Sequence, residues 1–261
     1  MLSKTKDEYI IEVSNLTKFY GKTKGIENVS FRIKKGEIFG LMGPNGAGKT
    51  TTLRSMLNLI QSSFGETKIF SKNLFNLSKI EMSSISYLPG EFETYGNLSG
   101  KEYLKYISNL RNAKKNNTNI LADRMDLDLN KKIKTLSKGN KQKIGIVMAF
   151  MNNPKIAILD EPTSGLDPLK QQEFQNIAKE QNDEGCTILL SSHILHEIEA
   201  LCERVGIIKD GNIIASEQRS ELKNKTIKKY EISFEKLPIK SQISKIKGVS
   251  NLDINKNIAT F

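Results

Sequence analysis

The eight residues GPNGAGKT, from Gly43 to Thr50, constrain this chain more than any other segment. They fit the pattern G-x-x-x-x-G-K-[ST], in which glycines let backbone N–H groups wrap phosphates, the lysine adds charge and the threonine hydroxyl can bind Mg²⁺. The apolar segment EIFGLM precedes the motif, and a helical pattern follows it. This order predicts a nucleotide site at one edge of an α/β sheet. The residues expected to hold the phosphates are Gly43, Pro44, Asn45, Gly46, Ala47, Gly48, Lys49, Thr50 and Thr51.

A second chemical pattern is the apolar segment IAIL followed by Asp160 and Glu161. An aspartate after a buried strand is a residue type that holds the metal in phosphate-binding NTPases, so Asp160 and Thr50 are predicted metal ligands. A second carboxylate one residue further can polarise a water for attack on the γ-phosphate. The pair favours hydrolysis over phosphate transfer to another substrate, and two acids with no joint role are the alternative.

Apolar strands alternate with helical segments, which predicts a mostly parallel sheet covered on both faces. The predicted strands are Tyr9–Val13, Val29–Ile33, Glu37–Met42, Ile85–Leu88, Ile156–Leu159, Thr187–Ser191, Val205–Lys209 and Ile213–Ala215. The predicted helices are Lys49–Ile60, Glu102–Leu110, Ile120–Met125, one starting near Ser137, Pro168–Asp183 and Ile194–Cys202. Helical patterns dominate residues of about 90–150, which we interpret as an insertion into the sheet.

The segment LSKGNKQKIG, Leu136–Gly145, has an unusual charge for a helix start. Ser137 is a suitable cap, and the start of a helix favours acidic residues because of its dipole. This start carries Lys138, Lys141 and Lys143 instead. Either these lysines meet a negatively charged group, or they reflect a chain that is rich in lysine throughout.

The composition changes beyond about Gln218, which divides the chain into a nucleotide-binding domain of residues 1–218 and an appendage of residues 219–261. The appendage has a predicted strand, Tyr230–Phe234, a predicted helix, Ile239–Ile246, and two strand-like pieces up to Phe261. Its last strand stops at the chain end. We therefore expect this small α+β unit to be cut short or to be completed by a partner.

Composition and charge exclude several classes of function. A net charge of +11 permits an anionic ligand or surface, but the lysines are spread evenly and no basic stretch is interleaved with aromatic residues, so we expect no nucleic-acid partner. No apolar run approaches the ~18 residues of a membrane span, and the segment MLSKTKDEYI lacks the apolar region of a signal peptide. Cys186 and Cys202 predict free thiols in a reducing compartment.

With these motifs in this order, the sequence resembles the ATP-binding subunit of an ABC transporter from about Tyr9 to Ala215. His193 matches the switch histidine of that family, and Tyr20 matches the aromatic residue that stacks on adenine. The segment LSKGN resembles the family signature, usually Leu-Ser-Gly-Gly-Gln, at Leu136, Ser137, Lys138, Gly139 and Asn140. The family's loop after the acidic pair matches Ser164, Gly165, Leu166 and Asp167. The segments YLPGE and LSKGNKQK further resemble bacterial exporters of the drug, bacteriocin and antibiotic-resistance type.

The resemblance implies a P-loop NTPase fold of the ABC type, with a mostly parallel core, an antiparallel N-terminal sheet and a helical subdomain at about 90–150. It implies an ATPase in which Glu161 and His193 are catalytic and ATP and Mg²⁺ are bound. Two copies, or this chain and a related subunit, would enclose two ATP molecules head to tail, each signature facing the partner's ATP. A separate membrane-spanning permease would be the second partner, which places the chain on the cytoplasmic face of the membrane; an unpaired chain would be cytoplasmic.

Several departures and rivals remain open. Gly90 stands where the family has a metal-sensing glutamine, so either Glu91 binds the metal or that contact is absent. Lys138 and Asn140 replace the usual glycine and glutamine of the signature, which leaves a weakly hydrolysing regulatory module as one alternative. A soluble ABC ATPase acting on ribosomes or DNA is another, and a small-molecule kinase is disfavoured by the acidic pair and the signature. Packing alone is the alternative for Tyr20 and His193, and metal binding with His196 and Glu197 is a further one for His193.

Overall fold

The chain forms two compact units, Met1–Arg219 and Ser220–Phe261. The structure is a computed structural model. It describes residues 9–91, 96–111, 116–218, 231–234, 243, 246, 252–255 and 257–260.

A six-stranded sheet forms the centre of the first unit and is mostly parallel, as predicted. In spatial order its strands are β10 (Asn212–Gln218), β9 (Arg204–Lys209), β3 (Ile38–Met42), β8 (Thr187–Ser192), β7 (Ile156–Asp160) and β6 (Ile85–Leu88). Only β10 pairs antiparallel, with β9, after the turn at Asp210 and Gly211. Every residue of β7 and β8 is buried, as expected for central strands covered on both faces. Because β8 separates β3 from β7, the loops after these three strands meet at one edge.

A four-stranded antiparallel sheet packs against this core and confirms the expected N-terminal sheet. Its spatial order is β2 (Thr23–Lys34), β1 (Tyr9–Tyr20), β4 (Phe64–Ile69) and β5 (Lys72–Asn73). The Phe31 and Phe39 rings stack with centroids 5.4 Å apart and join the two sheets. The alternating pattern predicted only the first part of β1 and the last part of β2. It missed β4, whose first three residues are exposed, and the two-residue β5.

Six of the seven helices described in the first unit occur in the predicted order, and the five-residue helix Lys79–Ser83 was not predicted. They are α1 (Lys49–Met56), α2 (Lys79–Ser83), α3 (Gly100–Leu110), α4 (Thr118–Arg124), α5 (Lys138–Phe150), α6 (Pro168–Asp183) and α7 (Leu195–Leu201), with 3₁₀ turns at Leu74–Asn76 and Ile133–Thr135. The prediction that α1 continues to Ile60 is wrong. Asn58 has a φ of 51°, and the N–H groups of Leu59 and Ile60 both donate to the Arg54 carbonyl, which closes the helix early.

The helical insertion comprises α3, α4 and α5, which lie between β6 and β7 in the chain. Ser99 and Glu102 form a capping box at the start of α3. Arg124, the last residue of α4, forms ion pairs with Glu173 at 2.6 Å and Glu180 at 2.5 Å on α6. These charged contacts fasten the insertion to a helix of the sheet core.

The second unit contains a three-stranded antiparallel sheet of β11 (Glu231–Ser233), β12 (Asp253–Asn255) and β13 (Ile258–Thr260), with β13 in the middle. These strands agree with the three strand-like pieces predicted there. The predicted helix Ile239–Ile246 lies largely outside the described residues.

Two further predictions concern the whole chain. Cys186 and Cys202 are both buried, and no disulfide joins them. Among the described helices, none has both the length and the apolar character needed to cross a bilayer.

Candidate functional site

The loop between β3 and α1 has the backbone of a phosphate cradle. Gly46 and Gly48 have φ angles of 81° and 105°, which favour glycine, and Gly48 leads into α1. Gly43 is required for another reason, because a Cβ there would lie 2.3 Å from the carbonyl oxygen of Ile208. The N–H groups at the start of α1 and its dipole therefore face the same space as the loop.

Lys49 is 6 % exposed and is held inside this loop. Its Nζ donates to the carbonyls of Gly43 at 2.7 Å and Pro44 at 3.1 Å, and it forms an ion pair with Glu161 at 3.1 Å. Pro44 therefore contributes to the loop through its backbone carbonyl, which accepts a hydrogen bond from Lys49. Ala47 is buried, and its carbonyl accepts a hydrogen bond from the Gly211 N–H at 3.0 Å.

A cavity of about 360 Å³ opens along this loop. Its lining residues include Tyr20, Lys24, Gly25, Asn45, Gly46, Gly48, Lys49, Thr50, Thr51 and Glu161. Tyr20, at one end of this cavity, is 50 % exposed, and Lys18 Nζ lies 5.1 Å from its ring centroid. An exposed aromatic face at one end and a phosphate cradle at the other match the two ends of a nucleotide. The interpretation of Tyr20 as a core residue is therefore not favoured.

The two carboxylates that follow β7 have different surroundings. Asp160 is completely buried, and it accepts hydrogen bonds from Thr50 Oγ1 and Ser191 Oγ, both at 2.6 Å. Glu161 has a φ of 48° and turns its side chain the other way, with Oε2 2.8 Å from His193 Nδ1. The buried carboxylate is suited to hold a cation, and the partly exposed one can meet a water.

A second cavity, of about 500 Å³, joins the predicted catalytic and metal-binding residues. Its lining residues are Asn45, Thr50, Arg54, Gly90, Glu91, Lys138, Asp160, Glu161, Ser164 and His193. Arg54 was not predicted from the sequence. Contact with the Tyr87 hydroxyl, together with the charges of Asp160 and Glu91, raises the pKa of Arg54. Cationic and carboxylate side chains therefore line the same cavity, with Arg54 and Lys138 among the first and Glu91, Asp160 and Glu161 among the second.

The signature and the loop after the acidic pair lie against each other. Ser137 caps α5 by accepting a hydrogen bond from the Asn140 N–H at 3.3 Å, as predicted. A Cβ on Gly139 would lie 2.5 Å from the carbonyl oxygen of Gly165, so the two backbones are in close contact. Leu136 is buried, whereas Ser137 and Lys138 are exposed.

The remaining residues of the loop after the acidic pair have structural contacts within this chain. Leu166 is buried, and Asp167 caps α6 by accepting from the Lys170 N–H at 3.0 Å. Ser164 faces the second cavity, and its N–H donates to the Glu161 carbonyl at 3.1 Å.

Oxygen atoms dominate the part of the site that could hold a metal. Thr50, Asp160 and Glu91 line the same cavity, and hydroxyl and carboxylate oxygens suit Mg²⁺, which binds few protein ligands and takes others from phosphates and water. Within the described part of the chain, no group of three or more His, Cys, Asp or Glu side chains could hold a metal ion. The alternative of a metal bound by His193, His196 and Glu197 therefore has no support. Glu197 instead accepts hydrogen bonds from two hydroxyls.

The site includes residues that sequence reasoning missed. Ser191, Lys24, Gln142, Glu197 and Arg54 all contact or line it. The only sequence signal for Ser191 is that a serine ends an otherwise apolar strand. Arg54, Gln142 and Glu197 lie on predicted helices, but helical periodicity does not say which polar side chain reaches the site, and Glu197 was considered only as an alternative metal ligand.

Comparison with known sequences identifies a family to which the chain is similar. A sequence model of the ABC transporter family matches residues 26–164. The chain is 41 % identical over 213 residues to an uncharacterized ABC transporter ATP-binding protein from Methanocaldococcus jannaschii, covering 78 % of this chain and 76 % of that one. It is 38 % identical over 232 residues to the bacitracin transport ATP-binding protein BcrA of Bacillus licheniformis, covering 85 % and 74 %.

Solved structures give the same assignment. The ATP-binding subunit of an ABC transporter aligns with a TM-score of 0.75 and 30 % identity, covering 82 % of this chain and 92 % of that chain. A dimeric ATP-binding cassette in a post-hydrolysis state with ADP and phosphate aligns with a TM-score of 0.69 and 26 % identity, covering 80 % and 98 %. The chain therefore belongs to the ABC transporter family, as an ATP-binding subunit that hydrolyses ATP.

Proposed function

We propose that ATP lies in the first cavity with its adenine on Tyr20 and its phosphates in the Gly43–Thr50 loop. Lys49 Nζ would contact the β- and γ-phosphates. Thr50 and Asp160 would hold Mg²⁺, which when bound offsets phosphate charge. The observation that carries this proposal is the convergence of the phosphate loop, the acidic pair and His193 on one 500 Å³ cavity.

Glu161 acts as the general base in this proposal. Its carboxylate is partly exposed and lies 2.8 Å from His193, so it can accept a proton from an attacking water while the histidine faces the γ-phosphate. Lys49 Nζ lies 3.1 Å from its Oε1 and His193 Nδ1 lies 2.8 Å from its Oε2, so each oxygen has its own partner. Asp160 is fixed by two hydroxyl donors and cannot exchange roles with it.

The signature explains why lysines begin α5. The first turn of this helix contains no acidic residue, and Ser137, Lys138 and Gly139 offer a hydroxyl, a charge and an N–H group. We propose that this start binds the γ-phosphate of an ATP held by a second subunit, a copy of this chain or a related one. The dimeric cassette to which the chain is similar supports a head-to-tail pair.

The proposed cellular role is to power export by a separate membrane-spanning permease at the cytoplasmic face of the membrane. BcrA is a bacitracin transport protein, and SrtF of Streptococcus pyogenes, which is 36 % identical over 226 residues, is a lantibiotic transport protein. These relatives favour export of a peptide antibiotic over the alternatives on ribosomes or DNA. We further propose that residues 1–218 form the ATPase domain, with a helical subdomain at about 90–150, and residues 219–261 an accessory domain.

Substitution of Glu161 by glutamine tests the site. The Glu161→Gln variant should bind ATP as the unmodified protein does but hydrolyse it about 10²–10⁴-fold more slowly, because an amide cannot accept the proton. ATP should then convert this variant from monomer to dimer in light scattering. Glu203→Gln, at an exposed glutamate outside the site, is the control and should leave turnover unchanged. Equal hydrolysis by Glu161→Gln and the unmodified protein would remove Glu161 from the mechanism.

A further inference from the structure

The peptide that carries Glu161 has an unusual backbone. Its φ of 48° lies in the left-handed region, which non-glycine residues seldom adopt unless surrounding contacts impose it. The Glu161 N–H donates to Ser191, to its Oγ at 3.1 Å and its carbonyl at 3.2 Å. These bonds fix the N-terminal side of the residue. The direction of its carboxylate depends also on what holds the carbonyl side.

Gln142 holds the carbonyl side. It lies on α5, is 3 % exposed, and its Nε2 donates to the Pro162 carbonyl at 3.0 Å and to the Glu161 carbonyl at 3.3 Å. One side-chain amide therefore fixes two consecutive peptide groups immediately after the catalytic carboxylate. A residue that acts only as core packing would not need to aim a donor at either carbonyl.

Glu197 fixes Thr163, the residue that follows Pro162. It lies on α7, is 5 % exposed, and accepts hydrogen bonds from Thr163 Oγ1 and Ser192 Oγ, each at 2.5 Å. Ser192 immediately precedes His193, so this carboxylate ties the end of the Glu161 loop to the histidine loop. Because Thr163 is held in this way, a movement of α5 would not displace the whole loop. It would change the orientation of the Glu161 peptide instead.

We propose that Gln142 is a positioning residue for Glu161 that ties its orientation to the start of α5. The proposal rests on the proposed function, because the start of α5 is the part that would bind the partner's ATP. Ser137 caps the helix that carries Gln142 five residues later, so a displacement of the helix start reaches the Gln142 amide. In the proposed dimer, the signature of one subunit contacts the ATP held by the other subunit. The active site of each subunit would thereby respond to the ATP bound in the neighbouring site.

The test uses Gln142→Met, which keeps the length of the side chain and removes the donor. The matched control is Gln181→Met, at a buried glutamine on α6 that lines a groove away from the site. We expect kcat to fall by ~10- to 100-fold for Gln142→Met, as for a misplacement of about 1 Å, while KM for ATP stays within about twofold. Gln181→Met should keep both constants near those of the unmodified protein.

Dimerisation separates this proposal from the proposed function. In a Glu161→Gln background, Gln142→Met should still form a dimer with ATP, because it leaves the signature and phosphate loop intact. A kcat within about twofold of the unmodified value, a parallel rise in KM, or an equal loss in Gln181→Met would overturn the role of Gln142. If Glu161→Gln alone stays monomeric with ATP, the proposed function itself fails.

A second variant covers the case in which Gln142→Met does not fold. Gln142→Asn keeps the polar amide but is one methylene shorter, so it cannot reach both carbonyls. We expect it to lower kcat at unchanged KM as well. Unmodified turnover in Gln142→Asn would refute the proposal.

Discussion

The hydrogen bond between Thr50 and Asp160 joins two proposed metal ligands, and its contribution to stability can be tested quantitatively. Asp160 is completely buried and accepts one bond from Thr50 and one from Ser191, both at 2.6 Å. Thr50→Val keeps the shape of the side chain and removes one of these donors. A buried carboxylate oxygen then has no hydroxyl partner on that side.

The expected cost follows from this geometry. Leaving a buried polar partner unsatisfied costs about 1–3 kcal/mol, and a charged partner belongs in the upper part of that range, so we expect about 2 kcal/mol. For a domain of this size, that corresponds to a fall in Tm of roughly 4–8 °C. Thermal unfolding of the protein without nucleotide or Mg²⁺, followed by circular dichroism, measures it.

Two matched variants make the measurement decisive. Thr50→Ser keeps the hydroxyl and should lose little stability. Thr52→Val, two residues further on α1, removes a buried hydroxyl that donates to the neutral Gly48 carbonyl at 2.8 Å, and it should cost only about 1 kcal/mol. If Thr50→Val unfolds at the same temperature as Thr50→Ser, or loses less than Thr52→Val, the bond to Asp160 does not have the assigned strength.

Three other outcomes can be measured. Gly139→Ala should lower turnover at least ~10-fold, because its Cβ would lie 2.5 Å from the Gly165 carbonyl and force the signature away from the neighbouring loop; unchanged turnover would contradict that contact. Lys138→Glu in the Glu161→Gln background should weaken ATP-driven dimerisation in light scattering, and an unchanged dimer would remove the lysine from phosphate binding. Burial raises the pKa of the Cys186 thiol from 9.0 to about 12, so the unfolded chain loses this proton first, and native stability should fall between about pH 9 and 12 more in the unmodified protein than in Cys186→Ala. Parallel loss in both proteins would contradict the shift.

The parts of the site that are contiguous in the chain could be predicted from the sequence. The Gly43–Thr50 loop and the pair Asp160 and Glu161 each follow a buried apolar strand, and the ends of parallel strands meet at one edge of a sheet. Residue type and position after a strand were therefore sufficient. The cap at Ser137 was predictable for the same reason, since it depends on residues within one turn.

Contacts between distant elements were not predictable. Ser191 reaches Asp160 only because β7 and β8 pair in the register that sets these two residues side by side. Gln142 and Glu197 converge on one loop from two helices that are far apart in the chain. A pattern of hydrophobicity gives the inner face of a helix, but it does not say which polar residue on that face meets a carbonyl.

Gly90 is one of the positions at which the sequence departs from the pattern expected of the family, and the structure shows what surrounds it. A Cβ at this position would lie 3.3 Å from Asp160 Oδ2, so a longer side chain would have to grow into the cavity beside the aspartate. That cavity instead contains Arg54, one turn after Thr50 on α1, together with Glu91. The guanidinium opposes the charge that the two carboxylates bring to the cavity. The electrostatic effects of Arg54 and Glu91 are therefore coupled. Removal of the arginine leaves Glu91 and Asp160 without this positive counter-charge. Removal of Glu91 leaves Asp160 as the only one of these two carboxylates that interacts with Arg54.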